Sequence, residues 1–283
     1  MAEPKTPIGD LIAEMDLRQK TLHAELKKLP ISEVIGIVDA SGAGGSNSKG
    51  QSFWTLKFDF KKWRYLGGEV QNKPLELSRE VSKDELGVFR SRIKAYDILR
   101  IRAHVLEKSS SVSVSGLFVD LVRKEDSDAE LTRLAQQLQA PVTFDDAEFG
   151  VFLLDRRVDW FEADTSWNSN PVRLTLSVGE GLDPEPALKT ARLLWNSQDG
   201  WDRKIRDFAV QKLLKIKNDS WLQSGEERIT PDVFKAAMSL ETISVTEGGD
   251  FEFWFEDGDL FWGHLIKVDG SISEGPTNAG IEG

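Results

Sequence analysis

The chain contains no cysteine. That excludes disulfides, thiolate nucleophiles and cysteine-ligated metals. It has three histidines, His23, His104 and His264, on widely separated segments, so no HExxH-type metal signature exists. No apolar run approaches the roughly 20 residues that a bilayer-spanning helix needs. The opening residues, MAEPKTPIGD, lack the basic-then-apolar order of a secretory leader. There is no Gly-x-Ser-x-Gly elbow and no dinucleotide fingerprint. SGAGGSNSKG at 41–50 lacks the Gly-Lys-Ser/Thr ending of a phosphate loop, and SVGEG at 177–181 lacks a third spaced glycine. These absences predict a cytoplasmic protein with no metal, no cofactor and no membrane partner.

Basic residues are scarce in one half only. Of the net charge of −11, residues 1–150 account for −1, whereas residues 151–283 carry 14 basic and 24 acidic side chains. So acidic a half is a poor general nucleic-acid binder and suits a protein partner with a basic or neutral surface. At 283 residues, with 40% hydrophobic and 29% charged side chains, the chain is long enough for two ordinary domains.

Along the chain, Ile8, Leu11, Ile12, Met15, Leu22, Leu26 and Leu29 follow helical spacing and predict an amphipathic N-terminal helix (1–30) stopped by Pro30. A β-rich domain is expected over 31–143. Strands are predicted at 33–40, 53–60, 96–106 and 112–122. Helices are predicted from two capping boxes, Ser82 with Glu85 and Ser127 with Glu130. Strand-strand-helix-strand-strand predicts a small β-barrel-like domain of the oligonucleotide/oligosaccharide-binding (OB-like) kind. From Lys49 to Arg102 there are 13 basic and 7 acidic residues, and Lys57, Lys61, Lys62, Trp63, Arg64 and Tyr65 interleave cations with aromatics. Single-strand binders share that pattern, and so does an ordinary polar barrel wall.

After a linker at 140–148, a C-terminal α+β domain is expected over 144–283. Two strands span 149–167 with a turn near Arg156-Arg157, and a third spans 171–179. Helices follow at 187–195 and 201–222, with a break at Asp199-Gly200. Thr230-Pro231 is an N-cap with proline at the first helical position. A strand at 240–246 leads into FEFWFEDGDLFWGHLIKVDG at 251–270, which reads as a β-hairpin turning at Asp257-Gly258. That turn would put Phe255 opposite Leu260, Phe253 opposite Trp262 and Phe251 opposite His264. Glu252, Glu256 and Asp259 would then share the other face with Trp254 and Phe261. The tail GSISEGPTNAGIEG reads as a last strand or an ordered tail at the sheet edge. The fold class is therefore mixed α+β, with an antiparallel C-terminal sheet and a helical insert.

FGVFLLDRRVDWFEADTSW (149–167) and FWGHLIKVDGSISEGPTNAGIEG (261–283) resemble the prokaryotic Domain of Unknown Function 2262 over about 149–283. The N-terminal half resembles a companion domain found beside it. The resemblance implies an uncharacterised bacterial protein with a mixed α+β domain. It implies no reaction, and leans toward an immunity-type protein that binds a protein partner.

Two constellations are candidates for chemistry. His264 beside Trp262 offers an acid or base. Asp155 and Asp159, with Arg156, Trp160 and Glu162 around them, offer paired carboxylates for acid–base work or a divalent cation. A core-edge histidine and a plain turn explain the same residues. Seven of the nine tryptophans lie in 160–262, and tryptophan is enriched at binding hot spots. The preferred expectation is a non-catalytic interaction protein using Trp254, Glu252, Glu256 and Phe261. The alternatives are a hydrolase or metal-dependent enzyme using His264 with Asp155/Asp159, and single-stranded nucleic-acid binding by the N-terminal domain.

Overall fold

A computed structural model describes residues 8–47, 52–107, 111–179, 181–223 and 225–283, with side chains from residue 17 onward. The chain divides into two compact units, Met1–Ala140 and Pro141–Gly283.

The N-terminal unit runs α1 (Ile8–Leu26), β1 (Ile31–Val38), β2 (Gly44–Ser46), β3 (Trp54–Tyr65), β4 (Leu75–Val81), α2 (Lys83–Arg92), β5 (Ile98–Leu106), β6 (Val114–Lys124) and α3 (Ala129–Gln139). Its sheet order is β1-β5-β6-β4-β3-β2, and β1 also pairs with β3. Strand β1 is thus hydrogen-bonded along both edges, to β5 and to β3. Strands β4 and β6 are parallel and the other pairs antiparallel. Gly36 allows the close β1–β3 approach, since a Cβ there would lie 2.3 Å from the Phe60 ring. Phe58, Phe60, Trp63, Leu75, Leu99 and Phe118 fill the core.

Four local expectations differ from this fold. Strand β3 continues five residues beyond the predicted end, because Trp63 turns inward and its indole donates to the Lys73 carbonyl at 2.9 Å. Strand β4 carries Leu75, Leu77 and Val81 inward, an alternation interrupted by the polar pair Ser78-Arg79 and passed over in the sequence. The Gly/Ser-rich stretch contains β2, whose Gly45 lies so close to Leu86 that a Cβ would collide with it; residues 48–50 of that stretch lie outside the described residues. The Ser82–Glu85 capping box is present in full. The second box is not: Asp128 is the N-cap of α3, its carboxylate accepting from Leu131 N at 3.0 Å, while Ser127 donates to Glu125. The apolar stripe of α1 is described at Leu22 and Leu26; the side chains of Ile8, Leu11, Ile12 and Met15 lie outside the described residues.

The C-terminal unit runs β7 (Thr143–Asp146), β8 (Gly150–Asp155), β9 (Trp160–Trp167), β10 (Asn170–Ser177), α4 (Glu185–Trp195), α5 (Gln198–Ser220), α6 (Pro231–Ala237), β11 (Ser239–Val245), β12 (Asp250–Glu256), β13 (Leu265–Ser271) and β14 (Gly275–Glu282). These strands form one eight-stranded sheet in the order β14-β13-β12-β11-β10-β9-β8-β7. Only β10–β11 is parallel, because α4, α5 and α6 intervene between them. The middle of the predicted linker is β7, held by Phe144 stacked on Phe152 with centroids 4.7 Å apart. The helix break falls at 196–197 rather than at Asp199-Gly200. Thr230 caps α6 with Pro231 in its first turn, and the tail is the edge strand β14.

Alternation then sorts the sheet into two faces. Phe251, Phe253, Phe255, Ile243, Leu174, Leu176, Phe161 and Phe152 join Leu188, Leu194, Ile205 and Leu213 of the helices in one core. Burial of such side chains contributes about 1.5–3 kcal/mol each. The opposite face takes every second residue of the same strands, and none of α4, α5 or α6 contributes to it.

The hairpin expected over 251–270 forms, but with a longer connection. Phe255 pairs with Ile266, Phe253 with Val268 and Phe251 with Gly270. Residues 257–264 make the loop. Asp257, 4% exposed, turns its carboxylate inward to accept the amides of Asp259 and Phe261. Gly258, Asp259, Trp262 and Gly263 all have positive φ. A Cβ at Gly258 would also sit 2.5 Å from the Ala237 carbonyl oxygen. A buried carboxylate capping two amides outweighs the two-residue turn that the sequence suggests.

Candidate functional site

The uncovered face of the C-terminal sheet follows from the register. Across it, Glu162 lies beside Thr175, Thr175 beside Ser244, Ser244 beside Glu252, Glu252 beside Asp269, and Asp269 beside Asn278. The next row runs Asp164, Arg173, Thr242, Trp254, Lys267. At its centre, Lys267 Nζ is 2.8 Å from Asp269, 3.4 Å from Glu252 and 5.3 Å from the Trp254 ring centroid. Trp254 Nε1 donates to Glu252 at 3.0 Å, and Asn278 donates to Asp269 at 2.9 Å. The hydrogen bond to Asp269 leads in raising the Lys267 pKa, which favours the charged ammonium.

Negative charge outruns this one lysine. Glu241 sits at a register shift in β11, beside Glu256. Burial, then repulsion from Glu256, raises its pKa, with Arg173 opposing. Two concavities mark the face. One, of about 520 Å³, is lined by Trp160, Thr175, Ser244, Asp250, Glu252, Asp269 and Glu274 among others. The second, of about 550 Å³, lies around Asp164, Arg173, Glu241 and Glu256.

The anticipated binding residues divide. Glu252, Trp254 and Glu256 stand together on the uncovered face. Phe261 does not: it is fully buried against Trp221 and Phe234. The cause is the Asp257-centred loop, which turns Phe261 inward and leaves Trp262, 57% exposed, on the surface 4.8 Å from Trp221. No periodicity signals that exchange.

The anticipated catalytic residues are not brought together. Asp155 pairs with Trp160 at one end of the sheet, the end shared by Asp250 and Ser271. His264 precedes β13 at the other end, beside the Glu256–Leu265 pair, its ring 5.5 Å from Trp221. Seven residues of strand separate the two ends, on the order of 20 Å. The Asp155 carboxylate is already engaged by the Arg157 side chain, which holds its pKa low. Asp159 is the positive-φ residue of the β8–β9 turn. His104 hydrogen-bonds the Leu29 carbonyl at 2.6 Å. Among the described residues, no group of three acidic or histidine side chains is placed to hold a metal ion, and no helix is long and apolar enough to cross a membrane.

The N-terminal unit holds a second cavity of about 520 Å³ between α1 and the outer wall of β3 and β4. No spacing or motif announces it. Asp59 pairs with Glu76 across β3–β4, and its carbonyl accepts the Asp39 amide. Burial, then Glu76 and Asp39, pushes Asp59 up to about 6. Buried His23 hydrogen-bonds Ser78 at 2.9 Å, and burial lowers its pKa. The cations expected to track a nucleic-acid backbone are mostly occupied. Arg64 pairs with Asp128 and Glu130, Arg100 with Glu33, Arg102 with Asp120, and Lys62 with Asn72. Trp63 is fully buried.

Comparison with known proteins agrees with this division. Residues 18–138 match a domain of unknown function, DUF7021. No curated protein matches. A single-stranded DNA binding protein from Thermus aquaticus aligns over 52% of this chain and 73% of its own, at 6% identity and a TM-score of 0.23, too low for any inference. Residues 146–281, the C-terminal half of the chain, match the family described as an uncharacterized protein conserved in bacteria (DUF2262), the family its DR-x-x-DWF and FWGH segments resemble.

Proposed function

We propose that this chain is a non-catalytic interaction protein whose recognition surface is the uncovered face of the C-terminal sheet, and that it binds a protein through a basic surface. The observation that carries the reading is the crowding of Glu241 and Glu256 on a face where Lys267 is already shared by Glu252 and Asp269. A carboxylate whose charge is opposed by a neighbouring carboxylate gains most when a cation arrives. Trp254, flanked by this charge, is the aromatic anchor. In this reading the protein works in the cytoplasm.

The same reading takes the N-terminal unit as a small OB-like barrel that serves as a scaffold. Pairing of β1 with both β3 and β5, and the parallel β4–β6 pair spanned by α2, support that topology. Its ion-paired cations argue against a nucleic-acid role.

The test is affinity capture from the native cell with the full chain. Trp254→Ala combined with Glu256→Lys loses a basic partner that wild type retains and that salt elutes. Glu227→Lys, an equal charge reversal at an exposed residue between α5 and α6, keeps it. An identical set of captured proteins with the double variant overturns the proposal.

A further inference from the structure

Within the uncovered face, the concavity lined by Trp160, Thr175, Asp250, Glu252, Asp269 and Glu274 has a volume of about 520 Å³, within the roughly 300–1,000 Å³ of ligand sites. Its floor is polar and ordered: Thr175 is 4% exposed and donates to the Ser244 hydroxyl at 2.8 Å. Trp160 supplies an aromatic wall. No lysine, arginine or histidine lines it. Glu252 and Asp269 share Lys267, but among the described residues no cation pairs with Asp250 or Glu274. An anionic ligand such as a phosphate meets four carboxylates there, with Lys267 already engaged by two of them. A planar cation with several donors and a weakly hydrated face fits: carboxylates accept its N–H groups, hydroxyls accept the remainder, and the indole takes its flat side.

We propose that this concavity is the anchor site for an arginine side chain of the partner. The inference rests on the reading of this face as the recognition surface. It adds the chemical group that is recognised and the place where it sits. The guanidinium enters beside Trp160 over the Thr175–Ser244 floor and pairs with Asp250 and Glu274, which have no internal cation.

The test needs no partner. The full chain is titrated with N-acetyl-arginine amide, and amide shifts are followed by NMR. N-acetyl-citrulline amide, the uncharged isostere, is titrated in parallel. Saturable shifts confined to Thr175, Ser244, Gly270 and the Trp160 indole are expected. Citrulline is expected to bind about tenfold weaker or less, as loss of a charge-assisted hydrogen bond requires. Asp250→Asn weakens arginine binding without altering the spectrum elsewhere. Equal binding of citrulline, or shifts spread over the acidic surface without saturation, overturns the site. The two proposals fail separately. Capture that depends on Trp254 and Glu256 while arginine leaves the cavity unshifted removes the anchor and keeps the surface. Arginine in the cavity with capture unaffected by Trp254→Ala/Glu256→Lys removes the surface reading and leaves an isolated guanidinium site.

Discussion

In the N-terminal unit Arg64, Arg100, Arg102, Arg123 and Lys124 each meet a carboxylate, whereas on the C-terminal sheet Glu241 and Glu256 meet each other. The architectures differ in step. Strand β1 is bonded along both edges, and the N-terminal unit has two hydrophobic clusters, one around Phe58, Phe60 and Trp63 and one where α3 meets Ile35 and Ile37. The C-terminal sheet gathers α4, α5 and α6 into one core with a single face, and the other face is mainly polar, with Trp254 and the exposed Val151 and Leu153 among its charges. A unit whose surface charges are matched internally has little to offer a charged partner. A face with excess charge of one sign does, and it bears an electrostatic cost until the partner binds.

The largest effect expected is on that one-sided core. Phe253, fully buried and 5.5 Å from both Trp167 and Phe251 by ring centroid, should cost about 3–5 kcal/mol when changed to alanine. Urea denaturation measures the loss. Hydrogen exchange of β5 amides then decides whether the N-terminal unit keeps its protection. If β5 loses protection in step, the two units fold as one and the comparison between them weakens.

A middle-sized effect is expected at Asp257. Asp257→Ala leaves the Phe261 amide, which it holds in the interior, without an acceptor, and should cost about 1–3 kcal/mol. Asp257→Asn keeps a carbonyl oxygen there and should cost less. Because the same loop holds Trp262 against Trp221, Trp262 fluorescence should change with the alanine variant more than with the asparagine one.

Asp59 sets the N-terminal unit's own exception to matched charge. Its pKa is raised from 3.8 to about 6, first by burial and then by Glu76 and Asp39. Between those values the folded state holds more protons than the unfolded state, so stability falls as pH rises from about 4 to about 6. Asp59→Asn mimics the protonated form. It should match wild type near pH 4 and exceed it at pH 7.5 in chemical denaturation. A wild-type stability that rises across that window would refute the assignment.

Much of this architecture was legible in the sequence where one residue type forces one geometry. Ser82 with Glu85, Thr230 with Pro231, and the alternation of Phe251, Phe253 and Phe255 each led to the element observed. What was not legible depended on partners far away in the chain. Trp63 extends β3 because Lys73 offers a carbonyl. Asp257 remakes the hairpin because its carboxylate finds amides inside the loop. The candidate face was half legible. The alternation singled out Glu252, Trp254 and Glu256, but the Thr175–Ser244 floor needs the parallel β10–β11 register, which joins residues 69 positions apart. The cavity under α1 had no sequence signature, since Asp39, Asp59 and Glu76 meet only through strand pairing.

The smallest effect is the one that most sharpens the comparison. Glu33 is paired with Arg100 in the N-terminal unit; Glu256 is set against Glu241 in the C-terminal unit. Glu33→Gln removes an attraction and should lower stability. Glu256→Gln removes a repulsion and should raise it. Both changes should stay within about 1 kcal/mol at neutral pH, because water screens the exposed Glu256 and reaches the half-buried Glu33–Arg100 pair. The sign is therefore the measurement, and it should shrink for both variants as salt rises past the Debye regime. Opposite signs at low salt place the unmatched charge on the C-terminal face, where a basic partner has something to gain. A loss with Glu256→Gln would mean that Glu256 is already satisfied, and the charge argument for that face would fall with it.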